Sequence, residues 1–113
     1  ELLGDYLSIL GLTPVTASSG LEALARIQEG VDLALIDIRM PEMDGIALLR
    51  AIRQQARTLP VLLMTGHPLP EDYAEAERLW ISGLLKKPFG LSALRSAIAA
   101  ILPPKAGEGD RKP

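Results

Sequence analysis

Three side chains that could do chemistry together follow separate apolar segments: Asp37, Thr65 and Lys87. Residues 33–36 are all apolar and lead directly into Asp37, a pattern typical of a strand buried on both faces of a parallel sheet. A carboxylate inside the core would be costly, whereas at the carboxyl end of such a strand it lies where α/β sheets bind ligands. If Thr65 and Lys87 end neighbouring strands, a nucleophile, a hydroxyl and a cation meet at one edge, which suits transfer of a phosphoryl group.

The surrounding pattern must supply a parallel sheet to position these groups. Apolar periodicity predicts helices over residues 1–10, 20–30, 45–56, 71–81 and 91–102, and strands over residues 13–17, 31–38, 60–65 and 83–86. Strands that alternate with helices imply right-handed βαβ units and an α/β fold. On the helix at 45–56, Arg50, Arg53 and Arg57 are predicted to face solvent.

Composition excludes several classes of protein. The 113 residues suffice for one domain, and a net charge of −2 gives no reason to expect direct binding to nucleic acid or an anionic membrane. There is no Cys, which excludes disulfides, thiol nucleophiles and Cys-ligated metals. No apolar run approaches the ~18 residues of a membrane span. A cytoplasmic location is therefore expected.

Three motifs carry a family resemblance. Asp37 followed by Met40-Pro41 and Met43-Asp44-Gly45 resembles the phosphoacceptor segment of response-regulator receiver domains. Leu63-Met64-Thr65-Gly66 is similar to that family's strand ending in Ser or Thr, and Lys87-Pro88-Phe89 to its Lys-Pro-Phe signature. The motifs occur in the family's order, and the resemblance covers about residues 1–102.

The resemblance implies a flavodoxin-like, doubly wound parallel sheet with strand order 2-1-3-4-5. The first strand has no counterpart in this sequence, which starts at Glu1 in a helical pattern and is interpreted as a fragment. That strand would lie centrally, between the strands at 13–17 and 31–38. We therefore expect an N-terminally incomplete receiver domain over residues 1–102, whose first strand is absent from the sequence or supplied by another chain. Residues 103–113 are expected to form a flexible tail or linker.

The resemblance also assigns roles. Asp37 would accept a phosphoryl group from a histidine kinase or phosphotransfer protein, with Lys87 and Thr65 binding its oxygens. Mg²⁺ would be held by the Asp37 carboxylate and the backbone carbonyl of Arg39. The family's acidic pair after the first strand has no counterpart in this sequence, which predicts weak or absent binding of Mg²⁺.

Other positions are assigned to regulation. The side chains of Arg39 and His67 lie where family members tune dephosphorylation, and Pro88 follows a bond that is usually cis in the family. The switch would combine Thr65 with the position three before the matched lysine. That position is Leu84 here, where many members carry Tyr or Phe, so the output surface is expected either to work differently or to be weakly coupled to phosphorylation.

Two alternative functions stay open. A pseudo-receiver would use the fold for protein docking without phosphorylation; the missing acidic pair and Leu84 favour this hypothesis, whereas Asp37, Thr65 and Lys87 argue against it. A metabolite hydrolase with an aspartyl-phosphate intermediate would need a second Asp where Arg39 stands, which disfavours that class of enzyme. A homodimer through the helices starting near Glu71 and Leu91 is a further possibility that the resemblance suggests.

Overall fold

The computed structural model describes residues 2–40, 43–66 and 69–102. Helices and strands alternate along most of this part of the chain. The elements are α1 (Leu2–Ile9), α2 (Gly20–Glu29), β1 (Ala34–Asp37), β2 (Arg39–Met40), β3 (Met43–Asp44), α3 (Gly45–Gln55), β4 (Val61–Thr65), α4 (Pro70–Arg78), β5 (Gly83–Lys86) and α5 (Leu91–Ala99).

The main sheet has three strands in the order β1-β4-β5. Both pairs are parallel; Ala34 lies opposite Val61, and Leu62 lies opposite Gly83. The α/β interpretation and the parallel sheet are confirmed. A short antiparallel pair, β2 with β3, joins the end of β1 to the start of α3.

Strand β4 is the centre of the core because every one of its five residues is buried. Its side chains alternate between two apolar clusters, as successive residues of a strand must. Val61 and Leu63 belong to one cluster with residues of α3, and Leu62 and Met64 belong to the other with residues of α5. Helices therefore cover both faces of the sheet, which is the arrangement that a uniformly apolar strand predicts.

The strand predicted over residues 13–17 is wrong. These residues form neither helix nor strand, and all five are exposed. A strand forms when a neighbouring strand accepts and donates its backbone hydrogen bonds, and within the described part of the chain no strand lies between residues 13–17 and β1. The residue types at 13–17 favour a strand, but none forms because no described strand lies beside them to pair with.

The prediction that Arg53 faces solvent is also wrong. Arg53 is 7% exposed, and its guanidinium donates to the carbonyls of Leu79 at 2.6 Å, Ala56 at 3.0 Å and Trp80 at 3.0 Å. It joins the carboxyl ends of α3 and α4 at a point where backbone carbonyls lack helical partners. Burial lowers the pKa of Arg53.

Helices α2, α4 and α5 end at the following residues. Gly30 ends α2 as predicted, with φ of 107°, a conformation that glycine adopts without strain. The last two helices are shorter than predicted and end at Arg78 and Ala99. After α4, Trp80 has a positive φ of 59° and lies on the surface. In the described ranges, no helix has the length and apolar character that crossing a membrane requires.

Candidate functional site

Asp37 is the last residue of β1, at the carboxyl edge of the sheet. The next residue continues the ladder, since the Ile38 N–H donates to the Met64 carbonyl at 2.9 Å. The Asp37 side chain is 24% exposed, so the carboxylate is accessible from outside while its backbone is held in the sheet. This is the position that the apolar run before Asp37 predicts for a ligand-facing carboxylate.

Lys87 follows β5 directly and reaches across the edge of the sheet. Its N–H donates to the Thr65 carbonyl at 2.7 Å, and its Nζ forms an ion pair with Oδ2 of Asp37. The Lys87–Pro88 bond is cis. The neighbouring Lys86 is exposed and lies opposite Thr65 in the β4–β5 register. Of the two adjacent lysines, Lys87 is therefore the one that meets the carboxylate.

Thr65 ends β4, the strand between those that lead to Asp37 and Lys87. It is 1% exposed, so it is a buried polar residue at the same edge of the sheet. The structure thus brings Asp37 and Lys87 into direct contact and ties Thr65 to Lys87 through the backbone. A carboxylate and a buried hydroxyl thus end two adjacent parallel strands, and an ammonium group directly follows the third.

Gly45 holds the loop after β1 close to Asp37. Its N–H donates to the Ile38 carbonyl at 2.9 Å. A Cβ at Gly45 would lie 2.5 Å from the Asp37 backbone oxygen and 2.6 Å from Cα of Ile38, which is too close for any side chain. Asp44 caps α3, because its Oδ1 accepts from the Ile46 N–H at 3.0 Å. The sequence shows Gly45 only as part of the Met43-Asp44-Gly45 motif, and its close approach to the Asp37 backbone is visible only in the structure.

The other predicted site residues have mixed outcomes. The backbone of Arg39 lies in β2 opposite Asp44, two residues after Asp37. The Arg39 side chain and all of His67 lie outside the part of the chain that the structure describes. Leu84 is half-buried in β5, opposite Leu63, and packs against the cluster that contains α3. Asp5 is exposed on α1.

The donor set for Mg²⁺ is small. In residues 2–40, 43–66 and 69–102, no three His, Cys, Asp or Glu side chains come together as metal ligands. The Asp37 carboxylate and the Arg39 carbonyl are oxygen donors of the right kind, and Mg²⁺ often keeps several waters beside one or two carboxylates. These donors fit a weakly held Mg²⁺ that is completed by water and ligand oxygens.

Known proteins of similar sequence include receiver domains, regulators and kinases. The family model described as "Response regulator receiver domain" matches residues 1–99. Sensor histidine kinase RcsC of Salmonella typhi is 37% identical over 100 residues, which are 88% of this chain and 10% of that protein. Transcriptional regulatory protein GlrR of Escherichia coli is 36% identical over 113 residues, 99% of this chain and 26% of that protein. The chain thus spans a minor part of these relatives.

Solved structures of similar fold are also receiver-domain and chemotaxis proteins. The chemotaxis protein CheY4 of Vibrio cholerae superposes with a TM-score of 0.82 at 31% identity, over 88% of this chain and 86% of that one. A receiver domain protein of Clostridium thermocellum superposes with a TM-score of 0.79 at 30% identity, over 88% and 82%. These neighbours confirm the flavodoxin-like interpretation of the fold. With the match of the family model, they show that the chain belongs to the response-regulator receiver domain family.

Proposed function

We propose that Asp37 accepts a phosphoryl group from a phosphohistidine on a partner histidine kinase or phosphotransfer protein. The observation that carries the proposal is the ion pair between Asp37 and Lys87 at the carboxyl edge of the sheet. A carboxylate that is held at a crevice beside a fixed cation is suited to attack an anionic phosphoryl group, because the cation offsets the charge repulsion between nucleophile and target.

The step is a displacement at phosphorus. A carboxylate oxygen of Asp37 forms a bond to phosphorus, while the bond between phosphorus and the histidine nitrogen breaks. The electron pair of that bond stays on the imidazole, which then takes a proton from water. The product is an acyl phosphate, and the chain supplies the groups that promote its own phosphorylation and dephosphorylation.

Lys87 and Thr65 would act on the phosphoryl oxygens. The Lys87 ammonium exchanges part of its contact with Asp37 for the incoming oxygens, and the Thr65 hydroxyl donates a hydrogen bond to the attached group. The Asp37 carboxylate and the Arg39 carbonyl would hold Mg²⁺, which would supply further positive charge when bound. We extend the proposal to regulation, with Arg39 and His67 setting the rate of dephosphorylation.

The names of relatives suggest the partners. RcsC is named as a sensor histidine kinase and GlrR as a transcriptional regulatory protein. By analogy, a histidine kinase is the donor, and a tethered domain or protein is the output. Half-buried Leu84 cannot signal by moving an aromatic ring, so the output surface is expected to respond weakly to phosphorylation. If the folded chain cannot be phosphorylated, the pseudo-receiver, a docking module that works without phosphorylation, becomes the favoured function.

The first test measures the intact mass of the folded chain after incubation with acetyl phosphate and excess Mg²⁺. We expect a gain of one phosphoryl group that Asp37→Asn abolishes. Asp32→Asn is the matched control, because Asp32 is an exposed carboxylate five residues earlier, outside β1, and it should leave the gain intact. No gain in the folded wild type, or a gain that survives in Asp37→Asn, would overturn the proposal.

A second test separates the two adjacent lysines. Lys87→Ala removes the cation beside Asp37 and should slow phosphorylation by about 10²-fold, within the range measured for loss of one electrostatic stabiliser. Lys86→Ala changes net charge equally but removes an exposed side chain, and its rate should stay within about twofold of wild type. Equal rates for the two variants would contradict the role of Lys87.

A further inference from the structure

Trp80, two residues after the end of α4, has a backbone conformation that tryptophan rarely adopts. Its N–H donates to the Glu77 carbonyl at 3.0 Å, and the Ile81 N–H donates to the Ala76 carbonyl at 3.4 Å. These two bonds form a Schellman motif, in which the residue at the position of Trp80 is left-handed and is usually glycine. Trp80 has a φ of 59° there, so a bulky side chain occupies a position that favours a residue without Cβ.

The indole of Trp80 gains little burial in this conformation. Trp80 is 65% exposed and belongs to neither apolar cluster of the described core. Its backbone is held from below, because the guanidinium of Arg53 donates to the carbonyls of Leu79 and Trp80. A strained residue that the surrounding structure fixes, but whose side chain the core does not use, is typical of a functional position.

Two exposed arginines lie beside this indole. The guanidinium of Arg53 binds the carbonyls of both Ala56 and Trp80, so the residues that follow α3 lie next to Trp80. Arg57 comes directly after Ala56 and is exposed. Arg78 is on the last turn of α4, two residues before Trp80, and its side chain is 70% exposed. We call Arg57, Arg78 and Trp80 the Trp80 surface.

The positive charge of the Trp80 surface is not neutralised by its neighbours. Glu75 accepts from Arg78 at 2.9 Å, but it also accepts from Arg50 at 2.8 Å, so one carboxylate serves two guanidinium groups. Among the described residues, no ion pair involves Arg57. This local excess of positive charge contrasts with the net charge of −2 for the whole chain. The surface is therefore complementary to carboxylates.

We propose that the Trp80 surface docks a short acidic segment of a partner polypeptide, with an apolar side chain between its carboxylates. The apolar side chain would pack on the indole, and the carboxylates would pair with Arg57 and Arg78, since guanidinium groups bind carboxylates through two parallel hydrogen bonds. Trp and Arg are also the residue types that most often dominate the binding energy of protein interfaces.

Other ligands fit these charges less well. Residues 105–113 of the chain carry three basic side chains against two acidic ones, so they are not an acidic segment. A nucleic acid is an extended polyanion, and the exposed Glu71 and Glu77 on α4 would repel it, whereas a short segment need not reach them.

The Trp80 surface lies at the opposite edge of the sheet from the phosphorylation site. Strand β5 begins just after it, at Gly83, whereas Asp37 is the last residue of its parallel strand. Docking of the acidic segment therefore leaves Asp37 accessible and does not require its phosphorylation.

Trp80 is the single tryptophan of the chain, so its fluorescence reports directly on this surface. The test titrates the full 113-residue chain with a synthetic peptide that has two Glu residues on each side of a central Leu and no aromatic residue. We expect saturable binding, a blue shift of the emission and slower quenching by acrylamide, because the indole leaves water. A control peptide with Gln in place of each Glu should bind at least about tenfold more weakly.

Two variants separate the role of Trp80 in docking from any role in the fold. Trp80→Gly removes the strain of the left-handed position and should raise the melting temperature by about 3 °C, whereas Trp80→Ala keeps a Cβ and should melt close to wild type. Both variants should weaken binding of a fluorescein-labelled peptide at least about tenfold, measured by anisotropy. A lower melting temperature for Trp80→Gly, or unchanged binding by either variant, would overturn the proposal.

A matched pair of charge reversals tests the arginines. Arg57→Glu places an acid beside the indole and should weaken peptide binding at least about tenfold. Arg95→Glu makes the same change of charge at an exposed position on α5 and should stay within about twofold of wild type. Equal losses for the two variants would show that binding follows net charge alone. Asp37→Asn should bind as wild type does, so a failure of docking and a failure of phosphorylation are separate results.

Further outcomes would also contradict the proposal. Equal binding of the Glu and Gln peptides would show that carboxylates are not recognised. A blue shift that grows with protein concentration alone would identify a second copy as the occupant, and one that disappears on deletion of residues 105–113 would identify the chain's own tail. Tighter binding of a single-stranded oligonucleotide than of the acidic peptide would identify nucleic acid. Absence of binding to the folded chain would refute the site altogether.

Discussion

The segments before and after β1 have similar apolar patterns but are buried to different extents. From Gly45 onwards, each strand has a neighbour, and Leu49, Leu63 and Leu94 are fully buried. Before β1, helix α2 has no fully buried residue and residues 13–17 are exposed. The difference teaches that apolar periodicity defines which face of an element can be buried, whereas burial itself requires a neighbouring element on that face.

The strongest test of this comparison is truncation of one leucine in each half. Leu63→Ala in β4 should lower the free energy of unfolding by about 2–5 kcal/mol, because it leaves a cavity in a packed core. Leu21→Ala, at a side chain that is 83% exposed, should stay within about 0.5 kcal/mol. Urea denaturation measures both values. Similar losses for the two variants would show that the amino-terminal half is packed as tightly as the rest.

The next test concerns backbone approach near Asp37. Gly45→Ala should cost about 1–3 kcal/mol through overpacking against the Asp37 and Ile38 backbone, and should also slow phosphorylation by displacing the carboxylate. Gly4→Ala is the control in α1, where an added Cβ meets nothing within 4 Å. It should stabilise the chain by about 0.5–1 kcal/mol, since alanine favours helices. Thermal melts and phosphorylation rates check both, and a neutral Gly45→Ala would contradict the geometry.

A substitution at Arg53 tests whether the contact between α3 and the end of α4 contributes to the free energy of unfolding. Arg53→Ala should cost about 2 kcal/mol, because three backbone carbonyls at the ends of α3 and α4 lose their donor. Arg57→Ala, at an exposed position just after the end of α3, should be nearly neutral. Chemical denaturation compares the two. A neutral Arg53→Ala would mean that water replaces the guanidinium without loss.

The smallest expected effect is a pH dependence at the surface. The hydrogen bond from Arg50 at 2.8 Å lowers the pKa of Glu75, with desolvation opposing and Arg78 adding to the effect. Because the folded-state pKa is the lower one, this stabilisation is present above the ordinary pKa of 4.5 and disappears as pH falls through the folded value. The difference in unfolding free energy between wild type and Glu75→Gln should therefore shrink from pH 7 to pH 3. A difference that is constant with pH would argue against the ion pair.

Much of the site was predictable because its residues follow recognisable local patterns. An apolar run that ends in Asp37 requires an edge position, and the order of the elements requires parallel strands. The structure accordingly places Asp37 beside Lys87. Arg53 was mispredicted because helical periodicity describes one helix, whereas its partners are carbonyls of residues 79 and 80 on another element.

The sequence by itself determined the alternation of strands and helices, the parallel sheet and the residues at its carboxyl edge. The alternation and the parallel sheet follow from local patterns of apolar residues and from the handedness of βαβ connections. The choice of Thr65 and Lys87 at the edge follows from the resemblance to receiver-domain motifs. Only the tertiary structure decided that residues 13–17 form no strand with any described residue, that Arg53 is buried and that Gly45 lies against the Asp37 backbone. Each of these depends on how different elements meet in space, which the local pattern of residues within one element does not specify.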